Sequence, residues 1–182
     1  MEKARRRRRL LSRPQRILLV SKPLGPPWND GSKTLVRELA RGLARRPQES
    51  DDNRARYGAV VPIGVPSPRG IEPLRVLPGP LFGPRLALRL AVGARARLLH
   101  FFFAPHRRAV QVARAVSAAA RAVPIQTICS QPRDFSEAAG LRFGRSVVVL
   151  SRWTERHLGA AGVPRDRIVR IPPPLEPPLP PP

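Results

Sequence analysis

Short apolar runs alternate with helix-like stripes along most of the chain. The first run, Arg16 to Ser21, is almost continuously apolar, as in strands that are buried on both faces of a parallel sheet. From Ser32 to Arg46, leucines recur every four residues at positions 35, 39 and 43, which places one apolar stripe on a helix. A strand, a loop and a helix in this order predict the opening of a βαβ unit.

The same alternation continues toward the C-terminus. It predicts further strands at 58–63, 75–77, 98–103, 125–129, 146–150 and 167–171, and helices at 85–97, 106–121 and 152–161. Pro62 restricts the second strand to a sheet edge or places this residue at the strand's end. Strands that alternate with helices predict an α/β fold, a Rossmann-like parallel sheet with helices on both faces, over residues 15–171.

The two ends of the chain differ in composition from its middle. Residues 1–14 are rich in arginine and lack the apolar core of a secretory signal, so we predict a basic disordered tail. Residues 172–182 are nearly all proline, which predicts a semi-rigid polyproline II linker to a C-terminal domain that is absent from this sequence.

The high positive charge of the chain is consistent with a second class of function. The chain carries 34 Lys and Arg against 12 Asp and Glu, a formal net charge of +22. The alternative interpretation is therefore a non-catalytic basic module that binds a polyanion, either an anionic membrane or nucleic acid. The aromatic residues lie mostly inside apolar runs and not between basic residues, which argues against nucleic acid as the partner.

Other kinds of site find little support in the sequence. Cys129 is the only cysteine, so no intrachain disulfide can form, as in a cytoplasmic protein, and no apolar run approaches the roughly 20 residues that cross a bilayer. Three histidines and one cysteine lack metal-ligand spacing, so we expect no metal and no cofactor. The loop from Gly25 to Thr34 departs from P-loop spacing, and its two prolines lack the backbone N–H groups that would bind phosphate. It therefore argues against a nucleoside triphosphatase.

At this loop the sequence resembles a known family. Residues 26–31, Pro-Pro-Trp-Asn-Asp-Gly, and the helix sequence LVRELARGLA at 35–44 resemble the opening of family-4-like glycosyltransferases. Segments 98–105, 124–130, 147–158 and 162–173 agree with that family in order and spacing. The sequence departs from the family pattern where Asp30-Gly31 replaces paired glycines. It departs again where the family's Thr-x-His reads Thr127-Ile128-Cys129.

The resemblance implies the N-terminal half of a GT-B fold enzyme, a fragment of a metal-independent, retaining hexosyltransferase. This half would bind the acceptor, a cell-surface glycan or lipid-linked molecule of cell-envelope biosynthesis. The nucleotide-sugar donor would bind only with the missing C-terminal domain, so the chain alone is expected to be inactive. We expect a cytoplasmic enzyme that can contact the inner face of the membrane through its basic surface. Exposed apolar surface is expected where the missing half docks.

The predicted site lies at the carboxyl ends of the strands, where open α/β sheets bind ligands. His100 is the catalytic candidate, and the alternative interpretation is that this lone histidine on an apolar strand is a core residue. The substrate-binding candidates are polar residues and one glycine that follow the predicted strands: Asn29, Asp30, Gly31, Ser32, His106, Ser130, Arg133, Ser151 and Arg152.

Overall fold

A computed structural model of the protein describes residues 16–22, 24, 30–45, 56–67, 71–92, 96–104 and 106–172. The predicted tail at 1–14, residues 173–182 of the predicted linker, and Asn29 lie outside the described residues.

In the described part of the chain, seven strands form one parallel sheet. They are β1 (Arg16–Val20), β2 (Arg56–Pro62), β3 (Glu72–Val76), β4 (Leu98–Phe102), β5 (Val123–Ile128), β6 (Ser146–Val149) and β7 (Ile168–Arg170). Their order across the sheet is β3-β2-β1-β4-β5-β6-β7, and each neighbouring pair is parallel. Because the strand order reverses between β1 and β4, the topological switch point lies between these two strands.

Helices connect most of the strands. They are α1 (Gly31–Arg45), α2 (Phe82–Val92), α3 (Arg107–Ala120), α4 (Phe135–Gly140) and α5 (Arg152–Ala160), and a short 3-10 turn at Arg165–Arg167 precedes β7. The predicted alternation of strands and helices is confirmed, with ends that differ by a few residues. Helix α4 was not predicted, because six residues are too few to show an apolar repeat. Pro62 is the last residue of β2, which is one of the two positions predicted for it.

One face of the sheet, here called face A, is covered by α2 to α5. Phe101 of β4 packs there with Leu86 of α2 and Val116 of α3, and Val147 of β6 packs with Leu158 of α5. The strand register places Phe101 and Val147 on the same face, because both align with Gln126 of β5. All of these side chains are buried.

The opposite face, here called face B, is covered unevenly. Val36 and Ala40 of α1 pack on Leu19 of β1 and on Ala59 and Val61 of β2. Helices therefore lie on both faces of the sheet, as the sequence predicted. No described helix packs on face B over β5 and β6. This difference leaves part of a parallel sheet, a structure normally buried on both faces, open on one side.

Candidate functional site

The predicted binding residues that the structure describes share one edge of the sheet. The carboxyl ends of parallel strands meet at the same edge, and these residues follow four neighbouring strands. Asp30, Gly31 and Ser32 follow β1, His106 follows β4, Ser130 and Arg133 follow β5, and Ser151 and Arg152 follow β6. The loops after β1 and β4 flank the switch point.

Asp30 organises the loop after β1. Its Oδ1 accepts hydrogen bonds from the backbone N–H and the hydroxyl of Ser32, at 2.9 and 2.5 Å, and a longer one from the Lys33 N–H at 3.4 Å. Lys22 Nζ lies 2.5 Å from Oδ2. Hydrogen bonds from Lys22 and Ser32 hold the pKa of Asp30 well below its usual range. Asp30 therefore caps α1, because its carboxylate immediately precedes the helix and accepts hydrogen bonds from amides of the first turn.

Two more predicted residues cap helices at the same edge. His106 is the N-cap of α3, and its Nδ1 accepts a hydrogen bond from the Ala109 N–H at 3.4 Å. Ser151 is the N-cap of α5, and its hydroxyl oxygen accepts from the Thr154 N–H at 3.1 Å. The N-termini of α1, α3 and α5 thus lie along this edge. Asp30 already compensates the partial positive charge of α1, whereas α3 and α5 have no acidic N-cap and favour anionic groups there.

An aromatic pair that the sequence did not reveal, exposed Trp153 and half-buried Phe135, lies beside these residues. Trp153 follows Ser151 and Arg152 in the chain and is 43% exposed. Its ring centroid lies 5.0 Å from that of Phe135 in α4 and 3.9 Å from that of His157. Phe135 reaches Trp153 only because α4 packs against α5, so no sequence pattern could reveal the pair. Of the other predicted binding residues, Ser130, Arg133 and Arg152 are also exposed.

His100 lies inside β4, two residues before the strand ends, with its side chain on face B. Its Nε2 is 2.6 Å from Thr127 Oγ1 on β5, and its ring centroid is 4.1 Å from that of Phe102. Burial lowers the pKa of His100 to about 4, so the imidazole is neutral at pH 7. These contacts belong to a hydrogen-bonded, packed histidine, and its catalytic role stays a prediction.

His100 also lines an open groove where none of the described helices covers face B. The groove has a volume of about 560 Å³, and apolar side chains of α1 form one wall, among them Leu35, Leu39 and Leu43. Few lining groups are polar, and the described chain ends at its rim with Ile171 and Pro172. The groove is an exposed apolar surface of the kind expected where another domain docks.

Cys129, which follows β5, has no features of a reactive thiol. Burial raises its pKa to about 12, with a smaller contribution from the negative charge of Asp30. Within the described ranges, no three or more His, Cys, Asp and Glu side chains are grouped so that they could hold a metal ion. The helices of the described chain are too short or too polar for any of them to span a membrane.

The fold is Rossmann-like α/β, and the described polar candidates lie at the carboxyl edge of its sheet, around the switch point. The structure of Anabaena Alr3699/HepE in complex with UDP and glucose is similar, with a TM-score of 0.53, 17% identity, and coverage of 87% of this chain and 44% of that chain. The complex of HepE with UDP-glucose gives a TM-score of 0.52, 17% identity, and coverage of 86% and 43%.

A further similar structure is that of the lipopolysaccharide outer core galactosyltransferase WaaB in its apo form. Its TM-score is 0.53 at 8% identity, and the match covers 85% of this chain and 44% of that one. No protein-family model and no curated protein sequence matches the chain significantly. At these identities the similarity shows the fold, and the chain spans less than half the length of each of these proteins.

Proposed function

We propose that this chain is the acceptor-binding half of a nucleotide-sugar-dependent glycosyltransferase of the GT-B type, related to family 4. The observation that carries the proposal is the extent of the structural match. Almost the whole described fold aligns with less than half the length of each similar protein. These proteins are HepE, in complex with UDP or UDP-glucose, and the galactosyltransferase WaaB.

In this proposal the acceptor binds at the strand-end edge. The hydroxyl groups of Ser130 and Ser151 and the guanidinium groups of Arg133 and Arg152 supply hydrogen bonds to a glycan or to a lipid-linked saccharide. The exposed ring of Trp153 supplies a flat apolar surface on which one face of a sugar ring can pack. The expected setting is the cytoplasmic side of the membrane, where cell-envelope acceptors are assembled.

The donor side is proposed to come from a second domain. Asp30 places a carboxylate at the switch point, and its charge is already balanced by Lys22 and by the N-terminus of α1. This loop therefore offers little additional positive charge to a nucleotide diphosphate. We expect the diphosphate to bind to the second domain, which would dock with exposed apolar surface such as the groove on face B.

His100 remains the catalytic candidate of the proposal. Its imidazole is neutral at pH 7 and can accept a proton, but Thr127 occupies its Nε2. His100→Gln keeps a hydrogen-bonding side chain and removes the base. A loss of kcat without a change in stability would support a catalytic role, and an unchanged kcat would leave His100 with a structural role only.

The test is an activity measurement on the chain with and without its second half. The polypeptide encoded directly downstream of the Pro182 codon is co-expressed with the chain, and transfer from radiolabelled UDP-glucose and UDP-galactose to membrane extracts is measured. We expect transfer only when both polypeptides are present, and a drop of about tenfold or more for Ser151→Ala with Arg152→Gln. Arg89→Gln, an exposed change on α2, serves as the control.

Two results would contradict the proposal. Transfer by the isolated chain would show that no second half is needed. A downstream sequence without any Rossmann-like pattern would remove the donor domain on which the assignment depends.

A further inference from the structure

We propose that a cleft on the flank of α5 binds an anion that carries two or more phosphate groups. The cleft lies between α5 and the 3-10 turn before β7 and has a volume of about 690 Å³. This proposal does not depend on the glycosyltransferase assignment. The residues that line the cleft are Arg152, Glu155, Arg156, Gly159, Ala160, Arg165 and Ile168.

Three arginines reach the cleft from two walls. Arg152 and Arg156 are four residues apart on α5 and therefore lie on the same helix face, about 6 Å apart along its axis. Arg165 belongs to the 3-10 turn that forms the facing wall. Gly159 and Ala160 extend the helical wall by a further turn and carry little side-chain bulk, so the cleft stays open along the length of α5.

The positive charge of these arginines is not balanced within the described part of the chain. The side chains of Arg152, Arg156 and Arg165 make no hydrogen bond or ion pair with another described residue. Glu155 is the only acidic lining residue, and its Oε2 is already paired with Arg170 Nε at 3.1 Å. Three guanidinium groups are therefore available to a ligand.

A second arginine-lined cleft in the same molecule shows the contrast. Arg89 makes no such bond among the described residues, but the other two arginines there do. Arg75 donates hydrogen bonds to the carbonyl oxygens of Pro62 and Val65, and Arg85 donates to the carbonyl of Pro78 at 3.3 Å. Those arginines stabilise the backbone of loops. The arginines of the α5 cleft have no such partners among the described residues, although the protein is equally rich in arginine around both.

The chemistry of the cleft favours phosphate. A guanidinium group is planar, always charged, and able to donate two parallel hydrogen bonds to one phosphate group. The lining residues of α5 extend over about two turns, about 12 Å, which is longer than a single phosphate. A ligand with several phosphate groups can engage both walls at once. Its source can be a soluble oligophosphate or the headgroups of anionic phospholipids.

The experiment uses the full chain and inorganic tripolyphosphate, with binding measured by isothermal titration calorimetry. Arg156→Gln with Arg165→Gln removes two cleft charges and leaves Arg152, which belongs to the proposed acceptor edge, unchanged. Arg108→Gln with Arg145→Gln removes the same charge from exposed positions that line neither cleft. We expect affinity to fall about tenfold or more in the cleft variant and to change less than about twofold in the control.

A second arm identifies the source of the phosphate. Co-sedimentation is measured with vesicles of phosphatidylglycerol and phosphatidylcholine, and with vesicles of phosphatidylcholine alone. Weaker binding of the cleft variant to the anionic vesicles, with the control variant unchanged, identifies lipid headgroups as ligands. If the cleft variant loses affinity for tripolyphosphate but binds the anionic vesicles as before, the natural ligand is a soluble anion.

Other outcomes would overturn the proposal. Equal losses in the cleft variant and the control would show that net charge alone attracts the anion, and unchanged binding in both would place it elsewhere on the chain. Thermal unfolding checks that each variant is folded. If the glutamine variant is unfolded, Arg156→Lys with Arg165→Lys replaces it, since this pair keeps the charge and loses the bidentate geometry. An affinity equal to that of the original chain would then contradict the site.

Discussion

His100 Nε2 lies 2.6 Å from Thr127 Oγ1, so a hydrogen bond between side chains links β4 to β5 on the face of the sheet that α1 only partly covers. Thr127 is 1% exposed, and both side chains line the apolar groove. Among the described residues, the only other polar side chains that line this groove are Glu38 and Tyr57. His100 and Thr127 therefore supply two of the four polar side chains of the described lining, and they are bonded to each other.

We expect the stability of the protein to fall on mild acidification because of His100. Its pKa in the folded protein is about 4, below the value of 6.5 for an unperturbed histidine. The unfolded chain therefore binds the proton more tightly, so this stability is present above pH 6.5 and is lost as the pH falls from 6.5 to about 4. Urea denaturation at several pH values measures the slope. His100→Gln should flatten it, and an unchanged slope would contradict the assignment.

Removal of the threonine hydroxyl should leave His100 without its partner. Thr127→Val keeps the shape of the side chain and should lower the free energy of unfolding by about 1–3 kcal/mol, because the imidazole nitrogen stays buried and unsatisfied. The combination with His100→Leu should recover part of this loss, since it removes the unsatisfied group as well. Additive losses in a double-mutant cycle would show that the two side chains do not interact.

Asp30 should stabilise the protein as the N-cap of α1. Asp30→Ala removes the acceptor for the Ser32 and Lys33 amides and should cost about 1 kcal/mol in urea denaturation. Asp30→Ser keeps a capping oxygen and should restore most of the loss. Lys22→Ala should have a smaller effect, less than about 1 kcal/mol, because the Lys22 side chain is 69% exposed. A larger loss for Lys22→Ala than for Asp30→Ala would reverse this ranking.

Cys129 should resist thiol reagents in the folded protein. Burial raises its pKa to about 12, so at pH 8 very little of the reactive thiolate is present. We expect the reaction with a disulfide reagent such as dithionitrobenzoate to be about 100-fold slower, or more, than in the urea-unfolded chain. A rate that equals the unfolded rate at low urea would show that this strand end opens readily.

Two glycines should respond in opposite ways to alanine. A Cβ atom at Gly83 would lie 2.8 Å from Cγ1 of Val112, so Gly83→Ala should disturb the contact between α2 and α3 and cost about 1–3 kcal/mol. A Cβ atom at Gly42 meets nothing within 4 Å, so Gly42→Ala in α1 should stabilise the protein by about 0.5–1 kcal/mol. Thermal unfolding compares both variants, and Val112→Ala should relieve the Gly83→Ala defect.

The sequence pattern determined the fold class because local periodicity reports burial directly. The strand at 146–150 was predicted from consecutive valines, and β6 covers Ser146–Val149 with three of its four residues buried. The helix at 106–121 was predicted from its composition, and α3 begins immediately after His106, which caps it. Parallel strands have their carboxyl ends at one edge, so the placement of the described polar candidates at that edge also followed from the order of elements.

Tertiary structure decided everything that depends on contacts between distant segments. The pairing of His100 with Thr127 requires the register of β4 against β5, and the contact of Phe135 with Trp153 requires α4 to pack on α5. No local pattern shows that Arg156 and Arg165 converge on one cleft, or that the described helices leave part of face B uncovered. Periodicity specifies which face of an element is apolar, whereas packing and register determine which residues meet across the sheet and what remains uncovered.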